Sequence, residues 1–200
     1  MFTDQLAPLD KNHAAGCGQE ADEAHGDCHG EDWWRYLYED EAGALQRFVL
    51  PPGYSIELVA SEPLVQDPVA IDFDADGRMW VVEMRAYLST AEPQGEQEPI
   101  GRIVIVEDLD DDGRMDTSTV YLDGLVLPRA VKTIDGGALV AAPPNLWLAL
   151  DTDGDLRADS LELIADDFGS ADGNPEFNAN GLLWGIDNRV HVTHHGTVLR

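Results

Sequence analysis

The sequence predicts an all-β protein, a β-propeller made of four-stranded antiparallel blades. Two observations carry this prediction. From residue 49 onward, short β-rich runs alternate with Asp, Gly and Pro turns, as in antiparallel sheet proteins. One turn also repeats: Asp76-Gly77, Asp135-Gly136 and Asp187-Asn188 stand 59 and 52 positions apart, each following a short apolar run. Between these turns, Ile103-Val104-Ile105-Val106 and Leu146-Trp147-Leu148-Ala149-Leu150 each lead into an Asp-rich loop. Each period therefore holds four strands, which is one propeller blade.

Residues 1–31 read as a flexible N-terminal segment, because the stretch 13–30 is rich in Gly, Ala, His and acids and has no periodicity. Cys17 and Cys28 lie within it. They are open to a disulfide, to a Zn²⁺ site with His25 and His29, or to a degenerate c-type haem motif in which His25 replaces the first Cys. A plain flexible tail is the simplest reading. Residues 32–48 read as a short helix, with Asp32 as N-cap and apolar residues at three-to-four spacing. Gly43 weakens its second half.

Residues 49–200 form the partial propeller. Strands are predicted over 55–60, 69–73, 79–84, 102–107, 118–122, 130–134, 138–142, 146–150, 160–165, 182–186, 190–193 and 197–199. The first blade covers 69–122, the second 130–165, and a third opens near Gly181. Two and a half blades do not close a ring of four to eight. The chain is therefore expected to be an N-terminal fragment of a longer protein. The run 55–60 would serve as an outer strand of the last blade.

Charge restricts the partners. The chain has 12 Lys+Arg against 39 Asp+Glu, a net charge of −27. Such an acidic surface repels nucleic-acid phosphates and anionic bilayers. The hydrophobic share of 44% is enough for a core. No apolar run reaches the length of a membrane span; the longest, Gly137 to Leu150, is broken by Pro143-Pro144. Met1 to Gln5 shows no signal-peptide pattern.

Two loops concentrate the acids. Asp108, Asp110, Asp112 and Asp116 occupy positions 1, 3, 5 and 9 of one, with Gly113 at 6. Asp151, Asp153, Asp155 and Asp159 repeat that spacing in the other, with Glu162 at 12 and Leu156 where the first has Gly. Alternate acids in a tight turn converge on one point, and Ca²⁺ takes six to eight hard oxygens. The carbonyls of Arg114 and Arg157, at position 7, would complete the two shells. A third run, Asp72-Phe73-Asp74-Ala75-Asp76-Gly77 through Glu83, fits an EF-hand pattern on paper. A hairpin turn is the better reading there, because Met79 to Met84 reads as a strand. His191, His194 and His195 sit on a late strand and its turn; solvated histidines are the default, and proton transfer is the functional alternative.

Further motifs occur together in order: Leu50-Pro51-Pro52-Gly53-Tyr54, Pro68-Val69-Ala70-Ile71-Asp72, Trp80-Val81-Val82-Glu83-Met84, the paired Asp loops, and Asn178-Ala179-Asn180-Gly181-Leu182-Leu183-Trp184-Gly185-Ile186-Asp187-Asn188. Over residues 48–200 the chain resembles the N-terminal propeller of the membrane-bound dehydrogenases of Planctomycetes and Verrucomicrobia. Those propellers are similar to soluble quinoprotein glucose/sorbosone dehydrogenases. The resemblance implies an exported oxidoreductase, periplasmic or extracellular, acting on a sugar or alcohol. Pyrroloquinoline quinone and Ca²⁺ would be its cofactors. Electrons would pass to a cytochrome-type acceptor, with haem c in a further domain of the longer parent. Glu83 and Arg85 match a pair near the family's central mouth, with a plain strand-end ion pair as the structural alternative, and His191 is the remaining candidate base. The family's catalytic His position falls on Phe177, which cannot accept a proton. A non-catalytic, calcium-stabilised binding or scaffold module is therefore the alternative expectation.

Overall fold

Period-2 patterning makes the sheets, and turn chemistry divides them. The computed structural model describes residues 41–87, 95–170, 178–192 and 198–199. The chain divides into two units, Met1–Ile56 and Glu57–Arg200. Described in the first unit are α1 (Glu41–Leu45) and a turn in which the Tyr54 N–H donates to the Pro51 carbonyl at 3.2 Å. The helix runs through Gly43 and closes with the Arg47 and Phe48 N–H groups on the Ala44 and Leu45 carbonyls. Residues 32–40 of the predicted helix, and Cys17, His25, Cys28 and His29, lie outside the described residues.

The second unit is all-β. Its described strands are β1 (Pro68–Phe73), β2 (Met79–Glu83), β3 (Gly101–Glu107), β4 (Thr117–Leu125), β5 (Ala130–Ile134), β6 (Gly137–Ala142), β7 (Asn145–Leu150), β8 (Ser160–Ala165), β9 (Leu183–Trp184), β10 (Val190–His191) and β11 (Val198–Leu199). They form sheets β1-β2-β3-β4, β5-β6-β7-β8 and β9-β10-β11. Every described pairing is antiparallel and between chain neighbours.

One predicted strand is corrected. Residues 55–60 are not a strand. Val59 contributes a single carbonyl, which accepts the Met115 N–H at 2.9 Å. Ala60 lies over the face of the first sheet, beside Met115 and Val120. Ile56 and Val59 are exposed, so of this run it is Ala60 that packs on the sheet.

Alternation along each strand sends side chains to two separate cores. Trp80, Val82, Ile103, Ile105, Tyr121 and Leu125 of the first sheet meet Val131, Ala138, Val140 and Ala149 of the second. Met79, Val81, Val104 and Val106 point the other way, toward Val65. The second sheet uses Ala130, Ala141 and Leu146 on its far face, against Leu182, Val190 and Val192. Strands β2 and β3 are thus covered on both faces, which explains their near-continuous apolar sequence. Trp80 and Tyr121 meet edge to face, with ring centroids 4.4 Å apart and planes at 61°. The Tyr121 hydroxyl donates to the Ala149 carbonyl at 2.9 Å. Burial, with the Asp151 and Asp159 charges behind it, pushes the Tyr121 phenol up to about 12. Gly137 is required beside this bond: a Cβ there would lie 2.1 Å from the Ala149 oxygen.

A charged tie joins the first two sheets. Lys132 Nζ on β5 is 2.8 Å from both oxygens of Asp72 on β1. The Thr133 N–H and hydroxyl donate to Asp72 Oδ2 at 2.7 and 2.8 Å. Burial alone would raise the Asp72 pKa; these donors and the Lys132 charge reverse that and hold it below the usual value.

The repeated turn has one geometry. Gly77, Gly136 and Asn188 have φ of 84°, 75° and 61°. This left-handed position suits Gly and, next best, Asn. Asp74 organises the first copy, accepting from Asp76 N at 3.0 Å, Arg78 N at 3.0 Å, Arg78 Nε at 2.8 Å and Trp80 Nε1 at 3.0 Å. The EF-hand-like run from Asp72 to Glu83 is thus a hairpin turn, with Asp72 committed to the second sheet.

Candidate metal centre

The two Asp loops connect equivalent strands, β3 to β4 and β7 to β8, and fold alike. The first Asp holds the turn closed. Asp108 accepts the Asp112 and Gly113 N–H groups at 3.2 and 2.8 Å; Asp151 accepts those of Gly154 and Leu156 at 2.7 and 2.9 Å. The last Asp ties the exit back to the entry. Asp116 accepts from Leu109 N at 2.7 Å, and Asp159 from Thr152 N at 2.8 Å and Thr152 Oγ1 at 2.7 Å. These Thr152 bonds hold the Asp159 carboxyl below the usual aspartate range.

Position 6 explains the one sequence mismatch. Gly113 has φ of 87°, and Leu156 reaches the same left-handed region at 65°. Leu156 packs against the core between the sheets, and that burial offsets its backbone strain.

Each loop brings three carboxylates together. Asp108, Asp110 and Asp116 offer oxygens within 4.8 Å of one another, as do Asp151, Asp153 and Asp159. Positions 1, 3 and 9 therefore converge as the spacing predicts. Positions 5 and 12 do not join them. Asp112 and Asp155 instead accept the N–H of Arg114 and Arg157, at 2.8 and 3.0 Å. Glu162 lies exposed within β8, paired in register with Leu148. Three carboxylates facing one point repel each other unless protons or a cation intervene. All-oxygen donors fit a hard cation such as Ca²⁺.

Of the candidate catalytic residues, Glu83 and His191 are engaged by partners outside these loops. Glu83 is fully buried and accepts the Gln66 N–H at 2.8 Å on one oxygen and Arg102 Nε on the other. Its ion-pair partner is Arg102, directly opposite on β3, and not the sequence neighbour Arg85. Arg85 lies in the turn after β2. His191 Nε2 is 2.9 Å from Asp187 Oδ1, which lowers the Asp187 pKa and braces the third repeated turn. Phe177, His194 and His195 lie outside the described residues. Glu83 and His191 thus stand on different sheets, each held by protein partners.

Sequence reasoning missed the Asp72–Lys132 tie and the Glu83–Arg102 pair. Both join residues from different strands, and only the register reveals them. It also missed Arg129, whose Nε and Nη2 are the only buried side-chain nitrogens or oxygens among the described residues without a hydrogen-bond partner.

The fold and loops define an all-β module carrying two matched acidic turn clusters. Residues 40–199 match the family described as a domain of unknown function, DUF7133, and the chain belongs to that family. No curated protein matches the chain. Among the described residues no helix is long and apolar enough to cross a membrane.

Proposed function

We propose that this chain contributes consecutive blades of a β-propeller that Ca²⁺ stiffens at its paired Asp loops, and that it serves as a binding or scaffold module. The single observation behind this is the convergence of three carboxylates at the same positions of two independently folded loops. Two matched sites one sheet apart are harder to explain as chance surface charge than one would be. The propeller reading rests on consecutive four-stranded sheets stacked face to face, with β1 and β5 tied directly at one edge. Each bound cation would clamp the connection between the third and fourth strands of a sheet.

Quinone-dependent oxidation of a sugar or alcohol is the second reading, favoured by the order of the motifs. Glu83 and His191 count against it, because each is already committed to a structural partner.

The calcium test is thermal unfolding with and without a chelator. The chelator should lower the melting temperature, and Asp110→Ala with Asp153→Ala should abolish that difference. A double variant that keeps full chelator sensitivity would show that the loops are only turns. Dye-linked oxidation of a sugar panel, with the quinone and Ca²⁺ supplied, separates the two readings; turnover would overturn the scaffold reading.

A further inference from the structure

The first two sheets flank a cavity of about 490 Å³ at the end that carries the Asp loops. Three connections wall it: the turn 74–78 after β1, the hairpin 133–137 joining β5 to β6, and the second Asp loop. Its floor is apolar, made by the buried Trp80, Ile105 and Tyr121, with Leu156 packed against the same core. That floor is held in place. Asp74 accepts the Trp80 indole N–H at 3.0 Å, and the Ala149 carbonyl accepts the Tyr121 hydroxyl at 2.9 Å. The mouth opens to solvent past Asp76 and Asp135, which are both exposed. A pre-formed concavity with an apolar floor and a few polar groups around it is the usual form of a small-molecule site.

The lining offers acceptors, while its side-chain donors are already spent. The Trp80, Tyr121 and Thr133 side chains each donate to a protein oxygen. Arg78 is committed to Asp74 and Asp76. Asp74 is itself filled by four donors. Two carboxylates keep capacity. Among the described residues none donates a hydrogen bond to the Asp135 side chain. Asp151 accepts two, from Gly154 and Leu156, where a carboxylate has about four sites. The two acids are neighbours, because the Asp151 N–H donates at 3.0 Å to the carbonyl of Gly136, the residue after Asp135. In all, the lining holds four carboxylates against one guanidinium. A sugar presents donors and acceptors alike, and its acceptors would go unmatched here. A protonated amine has donors only.

We propose that this cavity binds a small organic cation, a protonated amine carried on an apolar body. The ammonium sits at the mouth on Asp135 and Asp151, and the apolar body lies on Trp80, Tyr121 and Leu156. Charge alone holds a cation only weakly at so exposed a rim; the floor supplies the selection, through the apolar area that it buries. Asp151 also belongs to the second Asp cluster, but the site needs no metal ion there, so it does not rest on the calcium reading.

The test is a titration of the full chain with hexylammonium, at fixed ionic strength and with a chelator present, followed by the ¹H–¹⁵N signal of the Trp80 indole. The signal should move and saturate. 1-Hexanol has the body without the charge, and methylammonium has the charge without the body; each should bind at least about tenfold more weakly. Asp135→Asn, with circular dichroism unchanged, should lose roughly tenfold in affinity. Asp123→Asn, which removes an exposed acid near the far end of β4, should lose nothing. Asp110→Ala with Asp153→Ala should bind like the parent; loss of binding there would place the cation on the Asp clusters and overturn the proposal. No saturable response in the parent, an undiminished affinity in Asp135→Asn, or an equal loss in Asp123→Asn also overturns it. Methylammonium as tight as hexylammonium would reduce the site to a charged rim, and 1-hexanol as tight would remove the need for a cation; either result refutes the assignment.

Discussion

Glu83→Ala should be among the most damaging single changes in the second unit. The Glu83 carboxylate has no exposed surface and holds two donors, the Gln66 N–H and the Arg102 guanidinium. Truncation leaves Arg102, whose side chain is only 20% exposed, without a counter-charge. Breaking a buried pair from one side costs about 3–5 kcal/mol. At roughly 2–4 °C per kcal/mol for a chain of this size, the melting temperature should fall by about 6–20 °C. Replacing both partners, Glu83→Met with Arg102→Met, should recover a large part of the loss. The Gln66 N–H would still lack an acceptor, at about 1–3 kcal/mol. Urea unfolding of the two single variants and the double variant gives the coupling energy directly. A Glu83→Ala cost below about 1 kcal/mol, or a double variant as unstable as the sum of the singles, would refute this account of a structural rather than a chemical role.

Gly137→Ala should destabilise by about 1–3 kcal/mol, because its methyl would collide with the Ala149 carbonyl, whereas the same change at an open strand position stabilises by roughly 0.5–1 kcal/mol; chemical denaturation measures this, and a neutral result would show that β6 and β7 separate easily. Tyr121 should ionise about two pH units later than an ordinary tyrosine. The unfolded phenol ionises first, so stability holds below pH ~10 and declines as pH rises toward 12; absorbance at alkaline pH follows it, and Tyr121→Phe should remove the late step. The Asp72 carboxyl has the opposite sign. Its folded pKa lies below the ordinary 3.8, so its contribution is complete above that value and is lost as pH falls through the lower one. Urea midpoints at pH 5 and pH 3 should differ less in Asp72→Asn than in the parent.

Strand order and turn positions were legible because local patterns determine them. The predicted run 130–134 is β5, and 160–165 is β8, both without adjustment. The left-handed position after Asp76, Asp135 and Asp187 was visible as Gly, Gly and Asn. The convergence of Asp108, Asp110 and Asp116 followed from spacing alone. What spacing could not tell was which acids were already occupied. Asp112 and Asp155 cap their own turns, so they leave the cluster even though their positions fit. Glu83 looked like a partner for Arg85, its near neighbour, whereas the ladder sets it opposite Arg102. The run 55–60 has strand composition, but it pairs with no described strand and leaves Ile56 and Val59 exposed; composition does not tell whether a partner strand is there to pair with.

The pairing of neighbours only has a consequence for how the chain acquires its structure. Each four-stranded sheet is complete once its own short stretch of sequence is available, so it can form early, from contacts of low sequence separation. The Asp72–Lys132 tie spans 60 residues and cannot form until both sheets exist. It belongs to the late, docking stage of folding. Weakening it should therefore speed unfolding far more than it slows folding, making this one carboxylate a regulator of how long the stacked sheets stay together.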